Sequence, residues 1–473
     1  MRITQVFAKK ILRITFNFIS LHLRIKELRQ MIFKRKIYNE LLSWKEKDNG
    51  STAILIKGAR RIGKSTIAEE FAKNEYSSYI LIDFTKCSEE IRDLFNDLSN
   101  INYIFLKLQL EYGVNLENRK SAIIFDEIQF CPKARQAIKH LVRDGRYDYI
   151  ETGSLISIRK NIQNILIPSE EYEVCMYPMD YEEFKWAMND YATIPLLKQC
   201  FENITPLGDN TNRKLMRDFR LYMLVGGMPQ AVAALIETNN LEKVDRIKRS
   251  IINLYDKDFN RIDPTGNASK IFRQIPAQLT GNANRYMTWR ASEGTAKTSL
   301  NEIISEMKES MVVNIAYHAN DPNVGMALHH STDNFKMYLG DTGLFITLAF
   351  WDKDFTDNDI YQKLLGDKLA ADLGYVYENV VSQMLKAAGN ELYYYTFPTE
   401  SCKHNYEIDF LISEGDKISP IEVKSSGYKT HASLDAFSKK FSSRIKHRYL
   451  IYTKDLRKDT DILCMPVYMS MFL

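Results

Sequence analysis

The chain has 473 residues, more than one ordinary core holds, so roughly three or four domains are expected. A hydrophobic fraction of 45% and a charged fraction of 26% exclude a disordered or fibrous protein. The net charge of +4 resides in the first thirty residues, where seven Lys/Arg face one acid, so the remaining chain is slightly acidic and offers no general basic surface to nucleic acid.

The six cysteines lie far apart with no C-x-x-C pair. That speaks against a zinc site and a secreted disulfide framework, and for a reducing, cytoplasmic setting. Residues 1–30 read as a basic N-terminal extension. Its apolar run Ile11–Ile19 is interrupted by Arg13, lacks a small-residue cleavage site and is too short to span a bilayer. A basic helix lying on a membrane surface is one reading. The preferred one is a native start at Met31, which opens the amphipathic run Ile32, Phe33, Ile37, Leu41 and Leu42. The protein made from its own gene is then expected to begin at Met31 by intact mass.

Ala53–Ile56 makes a short buried strand that Gly58 breaks. Gly63, Lys64 and Ser65 then open a helix with Ile67, Ala68 and Phe71 on its apolar face. The spacing Gly58-x-x-x-x-Gly63-Lys64-Ser65 is that of a phosphate-binding loop, and strand and helix supply the context it requires. The binding stretch is Gly58, Ala59, Arg60, Arg61, Ile62, Gly63, Lys64, Ser65 and Thr66. Glycines let backbone amides turn toward phosphate oxygens, and the helix N-terminus adds partial positive charge. Lys64 is placed to reach the β- and γ-phosphates and Ser65 to ligate Mg2+, so ATP and Mg2+ are the implied cofactors.

A second strand follows at Tyr79–Phe84, then helical spacing through 88–113. The run Ser121–Phe125 is an apolar strand ending in Asp126 and Glu127, a Walker B pattern. Asp126 is the expected metal support, and Glu127 the base that orients and deprotonates water. After a helix over 134–142, the strand Tyr149–Thr152 ends at Gly153 and Ser154. Thr152 or Ser154 is a candidate sensor of the γ-phosphate; a capping role for either is as good a reading. Strand alternating with helix predicts an α/β fold, a parallel sheet covered by helices.

GARRIGKS, IIFDEIQ and TGS, in this order, resemble bacterial and archaeal AAA-type ATPases related to the AAA+ and STAND classes. YMLVGGMPQAV (222–232), IPAQL (275–279) and FKMYLGDTGLF (335–345) extend the likeness. The resemblance implies a P-loop ATPase domain over 31–178, a helical lid over 179–262 and a winged-helix-like module over 263–345. It also implies a C-terminal region of undefined role, and many relatives act as oligomers, so a homo-oligomer is an expected partner state. Arg143 and Arg146 are candidates for an arginine finger. Arg273, Arg285, Arg290 and Lys297 in the third module are candidates for DNA phosphate contacts; scattered solvated charges are the plainer reading.

Residues 346–473 contain a further constellation. Glu378 lies near one end of a predicted helix, Glu407 and Asp409 share one face of a strand, and Glu422 and Lys424 share a face of the next. A hairpin would bring Asp409 and Glu422 together as oxygen ligands for Mg2+, with Lys424 beside them. The arrangement resembles the PD-(D/E)XK nuclease-like fold, with Glu378, Asp409, Glu422 and Lys424 at its motif positions and Ile408 where that pattern has proline. A salt-bridged strand pair is the plainer alternative. Lys439, Lys440, Arg444, Lys446 and Arg448 form a basic run suited to a DNA backbone or to solvating a helix.

The preferred expectation is an ATP-hydrolysing switch whose nucleotide state repositions the winged-helix and nuclease-like domains, with no membrane span. The alternatives are an ATP-licensed endonuclease and a nucleotide-gated scaffold whose C-terminal acids are inert.

Overall fold

Two sheets organise the chain, and the first is built from strands whose burial pattern explains their sequences. In the computed structural model, residues 31–154, 169–280, 297–352, 364–366, 374–399, 404–425 and 430–473 are described. β1 (Ala53–Lys57), β2 (Ser78–Asp83), β3 (Ser121–Asp126), β4 (Asp148–Gly153) and β5 (Glu171–Cys175) form a parallel sheet in the order β2-β3-β4-β1-β5. Every residue of β3 and β4 is buried, as expected of central strands covered on both faces. On one face Ile123, Phe125 and Ile82 pack against Ile104 and Leu108 of helix Ile101–Tyr112, and against Ala137 and Leu141 of helix Pro132–Asp144. Pro132 opens the latter helix and Gly145 closes it in the left-handed conformation, the usual asymmetry of helix ends. This is an α/β fold of the P-loop type.

Helices follow from Tyr181 to Thr280, among them Asp209–Val225, Pro229–Thr238 and Leu241–Ile262. Among the described residues no single helix is long and apolar enough to cross a membrane.

The second sheet is mixed. It comprises β6 (Val313–Ala319), β7 (His330–Leu339), β8 (Tyr393–Pro398), β9 (Asn405–Glu414), β10 (Lys417–Val423), β11 (Arg448–Tyr452), β12 (Arg457–Asp459) and β13 (Ile462–Pro466). The order is β12-β13-β11-β10-β9-β8-β6-β7. The expected boundary between 345 and 346 is therefore corrected. β6 and β7 are not a wing of their own: Tyr317 and His318 of β6 register in parallel with Tyr393 and Tyr394 of β8. Backbone pairing joins the third module to the last, a long-range contact that local hydrophobic patterning does not encode.

Candidate functional site

The phosphate loop leaves β1 at its C-terminal end and turns tightly. A Cβ on Gly58 would sit 2.3 Å from the Met176 carbonyl, so only glycine fits there. Lys64 opens helix Lys64–Glu75 and is buried. Its Nζ donates to the carbonyls of Gly58 (3.0 Å) and Ala59 (2.9 Å), which holds the ammonium inside the loop. Burial pulls its pKa down to about 8, against the opposing pull of Glu127 and Asp126, so both acids lie close enough to act on it.

β4 lies between β1 and β3, and this order brings three predicted residues onto one oxygen. Asp126 Oδ1 accepts the Ser65 hydroxyl at 2.5 Å and the Thr152 hydroxyl at 2.5 Å. The Glu127 amide donates to Thr152 Oγ1 at 3.2 Å. Glu127 itself adopts a left-handed backbone (φ 55), unusual for a glutamate, and its carboxylate accepts the Gln129 side-chain amide. A hydroxyl and a carboxylate in contact at a helix N-terminus, beside a lysine, form a donor set that fits a magnesium–phosphate pair. Thr66 occupies the first turn behind Ser65. Ser154 is buried just past the end of β4.

The rest of the loop is gripped by residues that sequence reading did not single out. Arg35 Nη1 donates to the Ile62 carbonyl at 2.8 Å and its Nε lies 3.0 Å from Glu183. Arg60 makes a two-pronged contact with Asp258 (3.0 and 3.1 Å), and the Tyr255 hydroxyl donates to the Arg60 carbonyl at 2.8 Å. Arg61 (φ 70) lines a cleft of about 690 Å³ shared with Gln230, Arg246, Arg249 and Lys257. Asp258, Tyr255 and Lys257 all belong to helix Leu241–Ile262, whose two-turn spacing carries no local mark of the loop it touches.

The C-terminal acids also converge. β9 and β10 are antiparallel with Phe410 opposite Ile421, a register that sets Asp409 opposite Glu422. Asp409 Oδ2 accepts the Val423 amide at 2.7 Å, and Lys424 Nζ lies 2.7 Å from Glu422 Oε1. Glu378 sits in helix Gly374–Ala387, where its Oε2 accepts the Tyr338 hydroxyl at 3.3 Å. Burial, then the charge of Glu378, pushes the Asp409 carboxyl well above the usual range. Among the described residues no group of three or more His, Cys, Asp or Glu side chains is arranged to hold a metal ion. One buried atom does ask for a partner: Glu422 Oε2 has no hydrogen bond. A cation between Glu422 and Asp409 fits that vacancy in the bonding.

The basic run is largely spoken for. Arg448 is buried against Asp435 (2.5 Å) and Asp461 (2.8 Å), Arg444 pairs with Asp321, and Lys440 lies over the ring of Phe397. Arg273 is paired with Asp256. Arg285, Arg290 and the side chain of Lys297 lie outside the described residues, as do residues 1–30. Of the two finger candidates, Arg146 is held by Asp144 at 2.6 Å, whereas Arg143 is mostly exposed.

Loop, Walker B acids and parallel sheet together define an AAA-type P-loop ATPase domain. Residues 50–185 match the family model for an AAA domain, and residues 216–354 and 373–469 match two domains of unknown function, DUF8612 and DUF4143. No curated protein matches the sequence. Among solved structures, the chain is similar to a Walker-type ATPase of Pyrococcus abyssi, at 16% identity and TM-score 0.42, covering 68% of this chain and 97% of that one. It is also similar to a STAND protein with a tetratricopeptide repeat sensor from Pyrococcus horikoshii, at 12% identity and TM-score 0.25, covering 76% of this chain and 46% of that one. A third is Cdc6p of Pyrobaculum aerophilum, at 14% identity and TM-score 0.24, covering 72% and 97%.

Proposed function

We propose that the chain is a Mg-dependent ATPase in which nucleotide state is passed from the phosphate loop to the helical layer and the second sheet. The observation that carries this reading is the convergence of Ser65, Thr152 and Asp126 on one oxygen, beside a buried Lys64. Lys64 and the amides of Gly58–Thr66 cradle the triphosphate, Ser65 and Asp126 hold Mg2+, Glu127 takes the proton from water, and Thr152 orders the two acids. The ion, when bound, supplies charge stabilisation at the transferring phosphate. Gln129, bonded to Glu127, keeps that carboxylate in place until water displaces it.

The path outward begins at Arg60, which ties the loop to Asp258 of helix Leu241–Ile262. On the same helix Lys248 Nζ donates to the carbonyls of Leu224 (2.6 Å) and Gly343 (3.2 Å), bridging the Gly-Gly turn to the segment after β7. From there Gln383 and Asn379, in the helix that carries Glu378, bond Thr342 and Leu339. Loop, lid helix and second sheet are thus in continuous bonded contact, and a change at the loop has a physical route to the C-terminal domain.

A second reading, a metal-dependent nuclease-like site at Asp409 and Glu422, is favoured by the unpartnered Glu422 oxygen. One experiment addresses both. ATP hydrolysis is measured with and without DNA, for the wild type and Lys64→Ala, while plasmid integrity is followed with Mg2+. Loss of hydrolysis in Lys64→Ala is expected; wild-type protein that binds no nucleotide with Mg2+ present sinks the proposal. Plasmid nicking that disappears in Asp409→Ala/Glu422→Ala would establish the second reading.

A further inference from the structure

β7 contributes an ammonium group to the acid cluster. Lys336 and Tyr338, two apart on that strand, share a face, and the Lys336 side chain is only 7% exposed. Its Nζ contacts Glu407 Oε1 and lies 3.6 Å from Glu378 Oε2, the oxygen that also accepts the Tyr338 hydroxyl. A lysine so buried is tolerated only when its charge is answered. Here two carboxylates answer it.

The cluster therefore divides. Glu378 and Glu407 are committed to Lys336, on the β7 side. Asp409 and Glu422 lie on the β10 side, where Lys424 engages one Glu422 oxygen and leaves the other, buried, without a partner. With all groups ionised, four carboxylates face two ammonium groups, and the shortfall equals the charge of a single divalent cation. Two-ion sites need carboxylates with free lone pairs for both ions, the ions standing about 4 Å apart. Lys336 has taken the lone pairs the second ion would use.

We propose that Lys336 is a built-in cation standing in for a second metal ion, so that this cluster binds one divalent ion, at Asp409 and Glu422. The inference rests on reading Asp409 and Glu422 as a metal site, and it adds the limit of one ion and the residue that sets it. Mg2+ or Mn2+ is the chemical class expected, since the donors are hard oxygens.

The test is Mn2+ binding to the full-length, nucleotide-free protein, counted by electron paramagnetic resonance in the wild type and in Glu422→Gln. The wild type is expected to bind one ion more than Glu422→Gln. A difference of two ions overturns the role of Lys336 while leaving the metal site standing; no difference overturns the metal site itself, and the inference with it. Lys336→Met is expected to gain a second ion, and a folded Lys336→Met that still binds one refutes the proposal. Should that variant not fold, Lys336→Met/Glu378→Gln/Glu407→Gln removes the cation and its two acids together. It is expected to keep one ion with affinity within about threefold, and a loss of tenfold or more would show that Glu378 or Glu407 holds the metal.

Discussion

The Asp341 carboxylate accepts the Gly227 amide at 2.5 Å across 114 residues of sequence. Its other oxygen accepts the Leu344 amide at 2.8 Å, capping helix Thr342–Ala349. Two stretches that stand apart in the chain, YMLVGGMPQAV and FKMYLGDTGLF, are thus two halves of one buried joint. Gly226 is part of it: its φ is +80°, and a Cβ there would lie 2.3 Å from Asp341 Oδ1.

This joint should be costly to break. Asp341→Ala leaves two buried amides without an acceptor, an expected loss of about 3–5 kcal/mol. Gly226→Ala combines a clash with an unfavourable backbone and should cost more than about 2 kcal/mol. Urea unfolding of each variant measures both. A change below about 1 kcal/mol in either would show that the joint is looser than its distances imply.

Replacing Glu127 with Gln keeps the shape of the site and removes the base. ATP turnover is expected to fall by about 10²–10⁴, with nucleotide binding retained because Lys64 and the loop amides are untouched. Phosphate release and equilibrium nucleotide binding, measured side by side, decide it; unchanged turnover would show that another group takes the proton.

Nucleotide affinity should depend on pH through Lys64. In the nucleotide-free protein burial holds its pKa down to about 8, so above that pH the lysine is neutral and must take up a proton to meet a phosphate. Affinity is then expected to fall by up to about tenfold per pH unit above this value. The folded state binds fewer protons than the unfolded one between about 8 and the ordinary lysine range, so the contribution of Lys64 to nucleotide-free stability rises with pH there. Lys64→Ala should flatten both dependences, as isothermal titration and thermal unfolding across pH will show.

A buried acid pair on the sheet makes a contrasting case. Glu151 is fully buried, and burial followed by the charge of Glu171 pushes its pKa well above the usual range, so it is neutral at pH 7. Glu171 in turn is bonded in two places to Arg135, at 2.7 and 3.1 Å. Glu151→Gln should therefore change stability by less than about 1 kcal/mol at pH 7, whereas Arg135→Met strands a buried carboxylate and should cost about 3–5 kcal/mol. Because the folded state holds the Glu151 proton longer than the unfolded state, stability falls as pH rises above the ordinary glutamate range, and Glu151→Gln removes that slope. Denaturant unfolding between pH 4 and 8 reads it.

Local chemistry was enough to reveal some of this protein. The phosphate loop, the strand ending in Asp126 and Glu127, and the place of Thr152 follow from spacing and from apolar runs bounded by glycine. Those signals act over a few residues, where backbone geometry and side-chain type are tightly linked. The facing of Asp409 and Glu422 is equally local, since hairpin register follows from period-two alternation. Other features arise only when distant segments pack. Asp258 reaches Arg60 across 198 residues, Lys336 reaches Glu407 across 71, and β6 joins β8 through a parallel pairing. Those choices belong to the tertiary structure, because a buried charge takes whichever partner the fold places beside it, and nothing in its own neighbourhood names that partner.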